Sequence, residues 1–326
     1  MTLHLSSHMR HEHLMYGDVK LFAGTACPDL AEKIARYLKL PLSGRDIITF
    51  PNDNLFVKLH GSVRGQDCFV IQTTSAPVHR NLMELLILIQ TLRLDSAARI
   101  TAVVPYLAYA RSDKKDQPRV PITARLVCDM IEVAGADRYI TMDLHAGQIQ
   151  GFFSIPCDHL TATTLFAQYM RAKGLASPVA VATDAGAAKR ALSFARALQI
   201  PLAIMEKHRH GNTDTVAVTA FIGDVRGREA IVFEDEISTG STLLAAAEVL
   251  QEQGAAAIYV CATHAVFAGD ALERLQQSAI NEVVVTNTIP HKDLPSKITE
   301  LSVAPLLAEA IQRVTTGESI SSLFEF

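Results

Sequence analysis

No two cysteines in this chain stand at C-x-x-C spacing. The five present, Cys27, Cys68, Cys128, Cys157 and Cys261, are odd in number and far apart. That excludes a disulfide framework or a four-cysteine zinc site and fits free core thiols in a reducing compartment. Charge of one sign is also missing. Thirty Lys and Arg face 34 Asp and Glu, for a formal net charge of −4. A balance so near neutral argues against a broad, sequence-independent nucleic-acid surface, though not against a local basic pocket. Long apolar runs are absent as well, despite a mean hydropathy of +0.19. The longest uncharged run, Gln253 to Gly269, is 17 residues and carries Tyr259, Thr263 and His264. It reads as a buried strand with its flanks rather than a bilayer span. The N-terminus lacks the basic-then-apolar pattern of a secretory signal. Residues 1–17 hold His4, His8, His11 and His13. They read as a polar extension outside the fold, a metal site being the sharper alternative. Neither G-x-x-x-x-G-K-[ST] nor G-x-G-x-x-G occurs, so P-loop kinases and Rossmann dehydrogenases lack support. G-x-S-x-G and H-E-x-x-H are missing too.

What is present is core material. Apolar residues make up 49% of 326, enough for a folded chain of two domains or one large one. Short apolar runs rich in Val and Ile alternate with helical patterns. Strands are expected at Val19–Phe22, Cys68–Gln72, Ile100–Val104, Tyr139–Met142, Val179–Ala182, Ala230–Phe233, Ala257–Cys261 and Val283–Thr286. Helices are expected at Asp29–Leu40, Asn81–Leu94, Ile122–Ala134, Thr161–Lys173, Ala187–Leu198, Ser241–Gln253 and Val303–Val314. That alternation predicts an α/β fold of mainly parallel sheets flanked by helices.

The chain also echoes itself. Gly61-Ser-Val-Arg-Gly-Gln-Asp67 precedes one predicted strand, and Gly223-Asp-Val-Arg-Gly-Arg-Glu229 precedes another, 162 residues on. Ser96-Ala-Ala-Arg-Ile-Thr-Ala-Val103 matches Gly254-Ala-Ala-Ala-Ile-Tyr-Val-Cys261 at an offset of 158. V-R-G is a common turn before a buried strand, but two echoes at nearly one offset mark a duplication. We expect two similar halves, 18–160 and 161–317, with the tail 318–326 returning to the first. The halves differ after their repeated strands. The second runs Glu234-Asp235-Glu236-Ile237-Ser238-Thr239-Gly240-Ser241-Thr242, and the first runs Gln72-Thr73-Thr74-Ser75-Ala76-Pro77.

The 231–242 segment carries the clearest chemistry. Two carboxylates follow a strand, at the end where open α/β sheets bind ligands. Thr-Gly-Ser-Thr then opens a helix, whose N-terminal amides and hydroxyls suit a phosphate. Vicinal carboxylates above it suit ribose hydroxyls, directly or through Mg²⁺. An N-cap with acidic flanks is the plainer reading; the combination favours a ribose 5-phosphate-shaped site.

This loop resembles those of type I phosphoribosyltransferases and of the ribose-phosphate diphosphokinase family. Asp143-Leu-His-Ala-Gly-Gln-Ile-Gln-Gly-Phe-Phe-Ser-Ile-Pro-Cys-Asp158 decides for the latter, since it is similar to that family's signature along its length. Phe22–Ala26, Asn81–Leu86, Tyr109–Asp116, Thr183–Gly186, Glu206–Arg209 and Leu301–Glu309 agree. The resemblance implies two phosphoribosyltransferase-like domains and transfer of the β,γ-diphosphoryl group of ATP to the anomeric hydroxyl of ribose 5-phosphate, releasing AMP. It implies Mg²⁺, a cytoplasmic homo-hexamer, and no nucleic-acid or membrane partner. Lys207 and Arg209, in what reads as a polar loop from Glu206 to Thr215, would stabilise the transferring group. Phe50, Asn52 and Asn54 would hold adenine. Arg111, Ser112 and Asp113 would meet ATP at the start of a flap. His145 would contact Mg²⁺–ATP, with Asp184 as the second metal residue, and Asp184, Ala185, Gly186 and Ala187 would form the diphosphate loop. Glu234, Asp235, Ser238, Thr239, Gly240, Ser241 and Thr242 would take ribose 5-phosphate. Ser62, Arg64, Ser319 and Ser321 would bind phosphate as activator and ADP as inhibitor.

Departures from the family pattern fall at Glu234, usually Asp; at Ser238, usually Asp; at Asn52, usually Asp; at Asn54, usually Glu; at Ser112, usually Gln; and at Gly147, usually Asp or Ser. They leave a weakly active regulatory paralogue as the alternative. A phosphoribosyltransferase would need a base-binding site that the sequence does not reveal.

Overall fold

In the computed structural model, which describes residues 16–209 and 216–323, the first sheet is entirely parallel. Its strands run in the order β1 (Val19–Ala23), β4 (Asp67–Ile71), β5 (Arg99–Val104), β6 (Arg138–Met142) and β7 (Cys157–Leu160). Every residue of β4 and β5 is buried, as a parallel sheet covered on both faces requires. Helices α1 (Pro28–Leu38), α2 (Val78–Leu94) and α3 (Thr123–Ala134) connect these strands. The first shows how the sequence dictates its helices. Pro28 opens it, and Leu30, Ala31, Ile34 and Ala35 form its buried stripe. Two short strands, β2 (Arg45–Thr49) and β3 (Leu55–Leu59), form a separate antiparallel hairpin.

The second sheet has seven strands. Its order is β10 (Val216–Ile222), β9 (Leu202–Arg209), β8 (Pro178–Ala182), β11 (Glu229–Ile237), β12 (Ala257–Ala265), β13 (Glu282–Thr286) and β14 (Ile298–Leu301). Only the β9–β10 pair is antiparallel. Helices α4 (Thr163–Ala172), α5 (Ala188–Leu198), α6 (Ser241–Glu252) and α7 (Ala271–Gln277) complete this unit.

The echoes in the sequence correspond to one repeated connection. Strands β1-β4-β5-β6-β7 and β8-β11-β12-β13-β14 share order and direction. Gly65 and Gly227 stand at φ 72° and 69°, values that favour glycine. The Gln66 amide donates to the Val63 carbonyl and the Arg228 amide to that of Val225. The Gly65 amide donates to the Ser96 carbonyl at 3.0 Å, and the Gly227 amide to that of Gly254 at 2.8 Å. Further on, Asp137 accepts from the Ile100 amide at 2.8 Å and Asn281 from the Ile258 amide at 2.7 Å.

The chain divides into two compact units between Leu160 and Thr161, and again before Ala304. The second division corrects the expected boundary. The sequence places residues 304–317 with the second half, but α8 (Ala304–Thr316) groups with the first unit and packs on α1. Arg99 gives the reason. Its guanidinium makes a two-pronged bond to buried Asp67 and donates to the Val314 carbonyl at 3.0 Å. Burial pushes the Asp67 carboxyl up, against the opposing pull of Arg99. The expected extension also ends earlier, because Arg99 lies over the Tyr16 ring at 4.4 Å. The four histidines of that extension lie outside the described residues. No described helix is long and apolar enough to cross a membrane.

Candidate functional site: an acidic strand end and a phosphate cradle

Strand β11 runs on to Ile237, so Glu234 and Asp235 are strand residues rather than part of a loop. Both are buried, at 8% and 5% exposure. This corrects the expectation that they stand in a loop beyond the strand. Its cause is pairing, since Glu234 and Glu236 continue the ladder opposite Ala262 and His264 of β12. Glu234 accepts from Thr183 Oγ1 at 2.5 Å and from Arg190 Nη2 at 2.6 Å. The same Arg190 nitrogen lies 3.2 Å from Asp235 Oδ1. Burial pushes the Glu234 carboxyl up, with the Arg190 charge and the Thr183 hydrogen bond pulling the other way.

After half-buried Ser238, Gly240 caps α6 with φ 72°. Thr239, Ser241 and Thr242 are exposed there, and the Thr239 and Ser241 hydroxyls lie 3.3 Å apart. Arg274 of α7 donates to Ser241 Oγ at 3.3 Å and more loosely to the Thr239 carbonyl at 3.4 Å. Cation, hydroxyls and helix N-terminus make an anion cradle. On β8, Thr183 ends in the loop Asp184-Ala185-Gly186-Ala187. Its first three residues after Thr183 are exposed and Ala187 is buried. Asp184 Oδ1 accepts from the Ala187 amide at 2.8 Å, which fixes the loop at the start of α5.

Lys207 and Arg209 do not lie in a loop. They occupy the end of β9, paired in register with Val218 and Val216 of β10. The polar stretch stays extended because an antiparallel partner satisfies its backbone. The remainder of the expected loop, 210–215, lies outside the described residues.

In the first unit, Phe50, Asn52 and Asn54 sit on the tip joining β2 and β3, all exposed. The Phe50 amide donates to the Asn54 carbonyl at 2.8 Å, and the Phe50 ring lies 5.8 Å from that of Phe56. Arg111 and Ser112 line an open cavity of about 290 Å³ with Lys114, Asp116 and Thr123. Asp113 turns away into the protein, where it accepts from Gln148 Nε2 at 3.0 Å. His145 is exposed. The preceding residue, Leu144, donates its amide to His159 Nε2 at 2.8 Å. His159 is held neutral at that nitrogen, and burial pushes its pKa down while Asp143 pulls it up. Ser62 and Arg64 occupy the turn before β4. Ser319 and Ser321 follow α8, and all four are exposed. The Ser319 carbonyl accepts from Arg313 at 2.8 Å.

The position that matches the acid pair in the first unit is filled from inside. Gln72 follows β4 as Glu234 follows the register of β11. It accepts from the Ala26 amide and donates to the fully buried Glu84, which itself accepts from the Thr25 amide and hydroxyl. A Cβ on Gly24 would lie 2.1 Å from Gln72 Oε1. At this strand end the first half therefore packs Gln72 closely against Gly24 where the second half has Glu234.

Sequence reasoning missed Arg190, Thr183 as a partner of Glu234, Arg274, His159 and Glu84. Thr183 and Glu84 lie inside the resembling stretches, and Arg190 lies four residues beyond one of them. Nothing in the sequence pointed to Arg274.

Among the described residues no three His, Cys, Asp or Glu side chains form a metal cage. Asp184 offers a hard oxygen donor. Such a sparse donor set fits a magnesium that keeps waters and phosphate oxygens rather than one held by protein alone.

Known proteins match most of the chain. Residues 19–135 match the model of the N-terminal domain of ribose phosphate pyrophosphokinase, and 216–325 match the phosphoribosyl synthetase-associated domain. The ribose-phosphate pyrophosphokinase of Wolinella succinogenes is 48% identical over 305 residues, covering 94% of this chain and 98% of its own. That of Caldanaerobacter subterraneus is 49% identical over 309 residues, covering 94% and 98%. The crystal structure of phosphoribosylpyrophosphate synthetase from Mycobacterium smegmatis superposes with a TM-score of 0.85 at 41% identity, covering 91% of this chain and 98% of its own. With two similar α/β units, an acidic strand end above a hydroxyl-rich helix cap, and relatives matched over 94% of its length, the chain belongs to the ribose-phosphate pyrophosphokinase family.

Proposed function

We propose that this chain transfers the β,γ-diphosphoryl group of ATP to the anomeric hydroxyl of ribose 5-phosphate, giving phosphoribosyl diphosphate and AMP. The observation that carries the reading is the family match over 94% of a chain that carries the acid pair and phosphate cradle on β11 and α6. Such a transfer needs alignment and charge neutralisation more than covalent help from the protein. The 5-phosphate sits at the amides and hydroxyls of Ser238–Thr242, with Arg274 beside them. Glu234 and Asp235 face the ribose hydroxyls. The 184–187 loop takes the diphosphate. Phe50, Asn52 and Asn54 hold adenine, and Arg111 with Ser112 meets the nucleotide phosphates. Asp113 acts by tethering Gln148. Lys207 and Arg209 stabilise the group in transfer.

His145 and Asp184 are the residues that would hold magnesium, which when bound would supply charge neutralisation on the phosphates. Ser62, Arg64, Ser319 and Ser321 form a regulatory site for phosphate and ADP. The protein works in the cytoplasm as a homo-oligomer, a hexamer by family resemblance. Exposed Leu94, Leu126 and Val133 supply apolar surface for such contacts. The test is AMP release from ATP and ribose 5-phosphate with Mg²⁺. Product is expected only when all three are present, and none above a no-enzyme control would sink the assignment.

A further inference from the structure

Glu234 and Asp235 are consecutive strand residues, so their side chains leave the backbone toward opposite faces. They are nevertheless held together, because one guanidinium nitrogen of Arg190, on the first turn of α5, lies 2.6 Å from Glu234 Oε2 and 3.2 Å from Asp235 Oδ1. The other Glu234 oxygen accepts from Thr183. Both oxygens of Glu234 thus have protein donors, and its side chain is only 11% exposed. Two carboxylates this close and this buried repel each other unless a cation lies between them.

We propose that Arg190 is the positioning residue for ribose 5-phosphate. It bridges the two carboxylates and sets the orientation of Asp235, while Glu234 acts as the anchor and Asp235 as the acceptor that meets the sugar hydroxyls. This rests on the reading that the acid pair binds ribose. A guanidinium suits the role because it stays charged and its planar fork serves two acceptors at once, whereas an ammonium is a single point charge on a flexible stem. The consequence falls on one substrate. Arg190 bonds both carboxylates of β11, so its loss falls first on the sugar end rather than on nucleotide affinity.

The experiment measures the two Michaelis constants separately in Arg190→Gln, Arg190→Lys, Asp235→Asn and the Arg190→Gln/Asp235→Asn double variant, with melting curves to establish folding. Arg190→Gln is expected to raise KM for ribose 5-phosphate about tenfold, with KM for ATP within about twofold, the loss of one charge-assisted contact. Arg190→Lys should raise it about threefold. In the Asp235→Asn background, Arg190→Gln should add less than about twofold, since the group it orients is already neutral. A general scaffolding role would instead move both constants and add fully in the double variant. If Arg190→Gln does not fold, the Lys variant decides. Unchanged KM for ribose 5-phosphate in the folded Arg190 variants overturns the proposal. Unchanged KM in Asp235→Asn overturns the underlying reading of the acid pair instead.

Discussion

Ser238 is half-buried between the end of β11 and the Gly240 cap, and its carbonyl accepts from the Ala268 amide at 3.1 Å. The family resemblance places an aspartate there. Thr239 and Ser241, one and three residues on, lie beside the Arg274 guanidinium, so a carboxylate at 238 would add an acceptor at the ribose end within a region that already carries compensating charge. Ser238→Asp should lower KM for ribose 5-phosphate severalfold and leave KM for ATP nearly unchanged. The reverse pattern, or loss of folding, would mean that the loop has been rebuilt around serine. At this scale the sequence was informative wherever residue type alone implied chemistry: the carboxylates, the hydroxyls and the glycine of the cradle. Arg190 and Arg274 were not legible, because a helical arginine is ordinarily a solvated surface residue. Only the packing of α5 and α7 against the strand ends brings these two to the acids and hydroxyls. Buried Glu84 was hidden for a similar reason, since its partners Thr25 and Gln72 are 59 and 12 residues away.

Among the elements, those with a continuous apolar run or a regular stripe were readable, and the core strands and their helices appear within a few residues of expectation. Strands β2, β3, β7, β9, β10 and β14 and the short helix α7 were not. Most of these strands alternate or carry charge, as in Arg45–Thr49, and their extension depends on a pairing partner rather than on propensity; β10 was missed despite its apolar run, Val216–Ile222. The same dependence stretched β11 past Phe233 through two carboxylates. Strand β13 offers a measurable consequence. Glu282 accepts from Tyr169 Oη at 2.6 Å and Thr299 Oγ1 at 2.7 Å and pairs with Lys173 at 2.7 Å. Burial pushes its carboxyl up, but these three hydrogen bonds outweigh burial and hold it below its usual 4.5. A carboxylate with a lowered folded-state pKa stabilises the fold above its unfolded value and loses that contribution as pH falls through the folded value. Glu282→Gln should therefore cost roughly 1–2 kcal/mol at pH 7. The gap to wild type should close as denaturation is repeated below about pH 4.5. A gap that stayed constant down to pH 3 would mean that shape, not charge, is what Glu282 supplies.

For the whole molecule, the duplication was legible as a sequence offset and returned as two sheets sharing a five-strand order. The placement of α8 was not, because its apolar stripe does not say which unit it covers; Arg99, far away in sequence, decides that. Both parts of the proposed regulatory site belong to the first unit. Ser62 and Arg64 stand on the turn that enters β4 at Asp67. Asp67 is bonded to Arg99, which holds the Val314 carbonyl near the end of α8, just before Ser319 and Ser321. Arg313 in turn holds the Ser319 carbonyl. An anion bound by Arg64 and the serine hydroxyls would thus bear on an ion pair that is buried on both sides, with side-chain exposures of 9% and 1%. Allosteric inhibition requires a second site whose ligand favours one state over the other. ADP should therefore inhibit at saturating ATP, where simple competition vanishes, and inorganic phosphate should activate. Arg64→Ala should remove the ADP effect that survives saturating ATP and leave ordinary competition between the nucleotides intact. Purely competitive inhibition in the wild type, or an identical response in the variant, would show that these four residues do not form a working regulatory site.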